Sequence, residues 1–224
     1  MKKKRTIITN SFNKVFWEKH YSKSRMKSPS NFALFIKKKF LKKNIKINLL
    51  DLGCGDGRDS FYFAKNSKIN VIGIDKSSIA IKKNNFYKKN EKKNNLFFFN
   101  FDVKNPKIKN IKKFDVIYLR FFLHSINLKT QNILFKNINQ MIKKKGKICL
   151  EFRTIKDPLF KKGKILSKYE RFIDHYRRFI NLSELINIKF MKKNFRIKYL
   201  IERKGLSKFK TDNPVVARLV LEKK

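Results

Sequence analysis

The chain's most chemically suggestive spacing lies in twelve residues, LLDLGCGDGRDS, from Leu49 to Ser60. Leu49, Leu50 and Leu52 supply an apolar strand, and Asp51 places a carboxylate near its end. Gly53, Gly55 and Gly57 follow, where the backbone can turn sharply and approach a ligand with no Cβ in the way. A helix starting just beyond aims unpaired N–H groups and its positive dipole end into the same crevice. Such a crevice suits a nucleotide-like molecule.

Spacing narrows the choice. A dinucleotide fingerprint runs G-x-G-x-x-G, with its third glycine packing helix on strand. Here the run is G-x-G-x-G, and Arg58 stands where that third glycine would fall. The next strand-like run, Asn70 to Ile74, ends in Asp75. An acid about 20 residues beyond such glycines is placed to hold a ribose hydroxyl pair. A third apolar run, Leu96 to Phe101, ends in Asp102, which could accept from an exocyclic amine. In glycine loop, ribose acid and adenine-side acid, the chain resembles the class I S-adenosylmethionine-dependent methyltransferases, over about Asn44 to Lys224. The resemblance implies S-adenosylmethionine as cofactor, held by Asp51, Gly53, Gly55, Gly57, Arg58, Asp75, Lys76, Asp102, Val103 and Leu119. It also implies a Rossmann-like α/β fold: a seven-stranded sheet, mostly parallel with an antiparallel C-terminal strand, and helices on both faces.

Ligands of open α/β sheets sit beyond the carboxyl ends of the strands, so the methyl acceptor belongs after the fourth and fifth strands. Arg120-Phe121-Phe122-Leu123-His124 follow the fourth; Glu151, Arg153, Thr154 and Asp157 follow the fifth. A later segment reads Asp174-His175-Tyr176-Arg177-Arg178-Phe179. Arginine is scarce, so those that persist invite a role for the planar fork. Arg120, Arg153, Arg177 and Arg178, with Glu151 and Tyr176, are candidate acceptor-binding residues that could clamp a carboxylate or phosphate. His124 and His175 are candidate general bases, with Arg120 as a third catalytic candidate. The other reading of these arginines is structural ion pairing with Glu151, Asp157 and Asp174. His20, beside Phe16, Trp17 and Tyr21, is open between packing and function, and Phe97–Phe99 reads as core.

The elements that position these groups alternate. Ser30 to Leu41 has a helical apolar face, and strands are expected at about 47–52, 70–74, 96–101, 115–119 and 147–152. Helices follow from near Arg58, from Ser77, and from a cap at Thr130 to a stop near Gly146. Asn181 with Glu184 forms a capping box. Phe195–Glu202 and Val215–Leu221 should pair antiparallel, since no helix fits between them. Residues 1–43 are expected to form a helical lid or appendage, and 44–224 the methyltransferase domain.

Composition limits partners. The 224 residues carry a formal charge of +42, yet only 11 of the 58 basic residues are arginine. Lysine, Asn, Ile and Phe all have AT-rich codons, so genomic base composition could produce the bias without selection for a polyanionic ligand. Lysines spread along the whole chain, which reads as solvated surface. Nucleic acid therefore stays possible but not favoured. No apolar run approaches the roughly 20 residues of a membrane helix, and no signal-like segment follows the basic opening. Two distant cysteines, Cys54 and Cys149, make no metal or disulfide pattern, and a cytoplasmic setting is expected. The motifs for methylating planar amino nitrogens or pyrimidine carbons are absent. The Gly-Arg-Asp-Ser continuation is similar to the tellurite- and thiopurine-methylating branch. That implies a small or glycan-linked acceptor, possibly anionic, with an oxygen or nitrogen nucleophile. The alternatives are an RNA methyltransferase and a non-catalytic basic nucleic-acid-binding protein of this fold. Sequence assigns no oligomeric state.

Overall fold

Strand β1 (Ile47–Leu52) alternates two buried faces: Leu50 and Leu52 enter one hydrophobic core, and Ile47 and Leu49 the other. β2 (Ile69–Asp75) repeats the alternation, so helices must cover both sides of the sheet they share. The computed structural model describes residues 15–22, 28–42, 44–105 and 113–224. Residues 1–14, 23–27 and 43 of the expected appendage lie outside that range.

The sheet holds seven strands in the order β3-β2-β1-β4-β5-β10-β9, where β3 is Leu96–Asn100, β4 Phe114–Arg120, β5 Ile142–Arg153, β9 Phe195–Arg203 and β10 Val216–Lys223. β1 to β5 are parallel, and β10 lies antiparallel between β5 and β9. This is the Rossmann-like arrangement expected. Strand order reverses between β1 and β4, which places the ligand crevice beyond their carboxyl ends.

Helix α1 spans 15–22, and α2 (Asn31–Phe40) is capped by Ser30. Then come α3 (Arg58–Phe63), α4 (Ser78–Asn90) capped by Ser77, and α5 (Leu128–Met141). The cap of α5 is Asn127, whose side chain accepts the Thr130 N–H at 2.8 Å, so Thr130 is not the cap. β5 begins at Ile142 directly after the helix and contains Gly146, earlier than the expected start at Lys147. Asn181 caps α6 (Leu182–Asn187) as expected, and α7 (Lys189–Asn194) follows. Between β5 and α6 lies a small sheet of β6 (Lys164–Ile165), β7 (Glu170–Phe172) and β8 (Tyr176–Arg178). Strands of two or three residues carry no readable periodicity, so the sequence does not announce them.

One buried carboxylate fastens α2 to the sheet. Asp59, at the start of α3, accepts from the Ser30 N–H (2.8 Å), the Ser30 hydroxyl (2.7 Å) and the Tyr118 hydroxyl (2.8 Å). Phe32 of α2 stacks on the Tyr118 ring with centroids 5.1 Å apart. A carboxyl group inside the protein is tolerated only with such a set of hydrogen-bond partners. Asp59→Ala would strand three buried donors and should destabilise the fold by about 3 kcal/mol in denaturant titration. Amide exchange should accelerate first in α2.

Candidate functional site

The half of the site expected to hold a cofactor begins where β1 ends. Gly53 (φ +75°) and Gly55 (φ +52°) occupy left-handed conformations, and both are closely roofed. A Cβ at Gly53 would lie 2.3 Å from the Phe122 ring, and one at Gly55 2.6 Å from the Tyr21 hydroxyl. Glycine is therefore required by backbone and space together. Asp75 locks this loop to the next one: one oxygen accepts the Gly55 N–H (2.9 Å) and the other the Ser77 N–H (2.8 Å). Burial raises its carboxyl above the ordinary carboxylate value against the pull of those amides.

Asp51 is buried with the Ser60 hydroxyl donating at 2.5 Å, and burial pushes its carboxyl up to about 8. A ligand ammonium beside it would restore the anion, so Asp51 is suited to a cationic group. Asp102 faces the opposite balance. Burial raises it, but the Lys104 N–H (2.9 Å) and the Lys76 ammonium (3.1 Å) outweigh that and hold it low. Val103 lines the cavity beside it, and Arg58 donates through Nε to the Ser28 carbonyl at 3.0 Å. Two expected cofactor residues stand apart from the cavity. Gly57 instead caps α3 against Asn84, and the Leu119 side chain lies in the core with 1% exposure.

A cavity of about 900 Å³ runs from Asp51, Asp75 and Asp102 to His124, His175, Arg120, Arg153, Tyr176 and Arg177. The scarce arginines do converge, but each already has a carboxylate. Arg120 pairs with Glu151 (3.1 Å) and donates to Ser207 (3.2 Å). Arg153 pairs with Asp157 (2.9 Å) and Asp212, and Arg177 with Asp174. The ion-pairing reading of these side chains is thus the one seen. Glu151 sits behind the wall, bridging Arg120 and Arg218 (2.8 Å). Arg178 does not line the cavity; it donates to the Ile126 and Leu123 carbonyls and to Gln131, clamping the turn that carries His124.

His124 and His175 are 5% and 4% exposed, and neither Nδ1 has a hydrogen-bond partner among the described residues. Asp174 Oδ1 lies 3.0 Å from His175 Nδ1 but outside hydrogen-bonding alignment. Burial, then the charges of Arg153 and Arg177, holds the His124 imidazole well below its usual value. Burial and Arg177 bring His175 down to about 4 against the opposing pull of Asp174. Both imidazoles are neutral at pH 7.

Two parts of the cavity wall escape sequence reasoning. In α1, Phe16 stacks on His175 with centroids 4.0 Å apart, Trp17 meets the same ring edge-on, and the Glu18 carboxylate accepts from the Ser77 hydroxyl (2.7 Å) and the Ile79 N–H (3.2 Å) at the start of α4. The aromatic opening was visible, but not which ring it would meet. Ser207, Phe209 and Asp212 reach the cavity from the β9–β10 loop, signalled only by Gly205 and Pro214. Charge is distributed unevenly. Nine of the chain's 16 acidic residues line this cavity, against seven of its 58 basic ones.

Residues 50–148 match the model of a methyltransferase domain family. No curated protein matches the chain. Among solved structures it is similar to the PH0226 protein of Pyrococcus horikoshii (TM-score 0.69, 19% identity, 87% of this chain and 88% of that one). A SAM-dependent methyltransferase of Methanosarcina mazei gives TM-score 0.69 at 16% identity, over 84% of this chain and 96% of the other. TehB of Haemophilus influenzae gives 0.64 at 18%, over 95% and 67%. No helix among the described residues is long and apolar enough to cross a membrane.

The Asp51 shift has a stability consequence. Its folded value of about 8 lies above the unfolded one, so the folded chain holds a proton that the unfolded chain releases. That stabilisation is complete below the unfolded value near 4 and is lost as pH rises toward 8. Asp51→Asn should therefore raise the melting temperature relative to wild type more at pH 8 than at pH 5. An equal offset at both pH values would contradict the shift.

Proposed function

We propose that the chain, whose fold is that of the class I S-adenosylmethionine-dependent methyltransferases and whose residues 50–148 match a methyltransferase domain model, transfers a methyl group to an oxygen or nitrogen of a small acceptor. The observation that carries this reading is the continuity of the cavity from the glycine loop to the two neutral histidines. Donor and acceptor would share one water-restricted chamber, which is most of what such a transfer needs from its protein.

The residues fit the cofactor. The buried Asp51 suits its ammonium group, the loop at Gly53 and Gly55 admits close approach, and Asp75 and Asp102 stand at the ends of β2 and β3 for ribose and adenine. When bound, S-adenosylmethionine supplies an electrophilic methyl carbon, which the acceptor lone pair attacks as the carbon–sulfur pair stays with sulfur. The chain's own work is then to orient the acceptor and take up its proton. His124, whose Nδ1 has no hydrogen-bond partner among the described residues, is the first candidate to take up that proton, and His175, beside Asp174, the second. Residues 15–22 act as the cover, through Phe16, Trp17 and Tyr21, with residues 28–31 lining the cavity beside them.

The anionic form of the acceptor is the weaker part of the sequence expectation, because the guanidinium groups are neutralised in place. The +42 surface supports a polyanionic acceptor as a second reading, but the acid-rich cavity would repel one.

S-Adenosylmethionine should bind wild type measurably by calorimetry and Asp75→Ala at least about tenfold more weakly. Absent or equal binding would remove the cofactor assignment. Labelled methyl transfer to cell extract should survive RNase treatment; loss of label would favour the RNA reading.

A further inference from the structure

The run Phe97–Phe99, expected as core, is divided by the strand that carries it. Phe98 is buried, while Phe97 and Phe99 on the other face of β3 are 42% and 48% exposed. We propose that this face is a docking platform for single-stranded nucleic acid, in which Phe97 and Phe99 stack on bases while Lys88 and Lys89 neutralise the phosphates beside them. The bound strand lies outside the cavity, which none of these four residues lines, and it is not the methyl acceptor.

The first support is placement. β3 is the outermost strand on its side of the sheet and pairs with β2. The helix packed against it is α4, which covers the Leu96 and Phe98 side through Ile81. Phe97 and Phe99 stand on the opposite side, about 6.6 Å apart along the strand. Two rings so placed offer two stacking surfaces, and stacking on a ring accepts any base. Among the described residues the exposed phenylalanines are Phe86, Phe97, Phe99 and Phe209, so three of the four fall on α4 and β3. A codon bias toward phenylalanine does not by itself gather them there.

The second support is charge. Between Ser78 and Asn100 the chain carries six lysines and a single acid, Glu91. Lys88 reaches round the sheet edge and sets its ammonium 4.6 Å from the centroid of the Phe97 ring. Lys89 is exposed next to it, and both stand one helical turn beyond Asn85. Ring and ammonium side by side match the alternation of base and phosphate in a nucleotide strand. Other occupants match less well. A second copy of the chain would bring the same lysines against these. An extended peptide would add to the outer edge of β3, but the Asn85 amide already donates to the Phe98 carbonyl there at 3.4 Å. A membrane calls for a contiguous apolar face, which the lysines interrupt. A duplex keeps its bases stacked on one another and offers the rings nothing.

The test is fluorescence anisotropy of labelled oligouridylate and oligothymidylate, each about 12 nucleotides long, with the full chain across a salt series. The two should bind alike, because neither ring nor ammonium reads the sugar. Phe97→Ser combined with Phe99→Ser should weaken binding at least about tenfold and leave the slope of log K against log salt unchanged. Lys88→Gln combined with Lys89→Gln should instead reduce that slope by about 1.4, for two single-strand phosphate contacts at about 0.7 each. With wild type at high salt, a duplex of the same length should bind at least about tenfold more weakly than either strand. That comparison stands even if the ring variant fails to fold. Equal binding by the ring variant and wild type, a duplex bound as tightly as a single strand, or binding that requires one of the two sugars would overturn the proposal. So would capture of wild type, but not of the ring variant, by phosphatidylserine vesicles with no strand binding. S-Adenosylmethionine should bind the ring variant as it binds wild type, which keeps this test apart from the methyltransferase reading.

Discussion

The bridge made by Asp75 is the contact on which the donor site depends. Its two oxygens tie the amide of Gly55, in the turn after β1, to the amide of Ser77, at the head of α4. Two loops from neighbouring parallel strands are thereby held at one separation, with the glycine turn open enough for a ligand. The turn cannot relax elsewhere, because Phe122 and Tyr21 press against the positions where side chains would stand. Glu18 reinforces the arrangement from above by accepting from the first groups of α4, where a negative charge also meets the helix dipole. The same few ångströms therefore hold β1, β2, α1 and α4 in register.

Most of the fold was legible because its signals are local and periodic. β1 was read at its observed limits, and the antiparallel pairing of β9 with β10 followed from the lack of any helix between two β-like runs. Fully buried strands alternate between two cores, so their apolar runs are continuous and unmistakable. What escaped has a physical reason in each case. The sheet of β6, β7 and β8 consists of strands too short to show a period, and it is fixed by tertiary partners such as the Tyr176 hydroxyl on Glu170 (2.7 Å). The start of β5 at Ile142 was hidden by Lys143–Lys145, whose charges suggest a solvated loop.

The site divides along the same line. Asp51, Gly53, Gly55, Asp75 and Asp102 could be placed from spacing, since each sits within three residues of the carboxyl end of β1, β2 or β3. The candidate acceptor residues were chosen by type, and type alone does not reveal pairing. Arginine scarcity located Arg120, Arg153 and Arg177 at the cavity, but only the structure gives each its carboxylate. Arg178, next in sequence, points the other way along β8 and serves as a clamp on backbone carbonyls. Along β8 the Arg178 side chain is turned away from that of Arg177.

The charge distribution shows how a strongly basic chain can house an acidic chamber. Acids are rare in this sequence, and more than half of them gather around one cavity while lysines cover the outside. A compositional bias toward lysine is easily borne at the surface, because a solvated ammonium costs little wherever it falls. It gives no account of carboxylates that are buried, since each must be held by donors or stay protonated. Asp59 meets that requirement with three donors, Asp75 with two amides, and Asp51 by keeping its proton. The acids that remain in the interior are therefore the ones whose surroundings were built for them. A cationic ligand is the class that such buried acids suit.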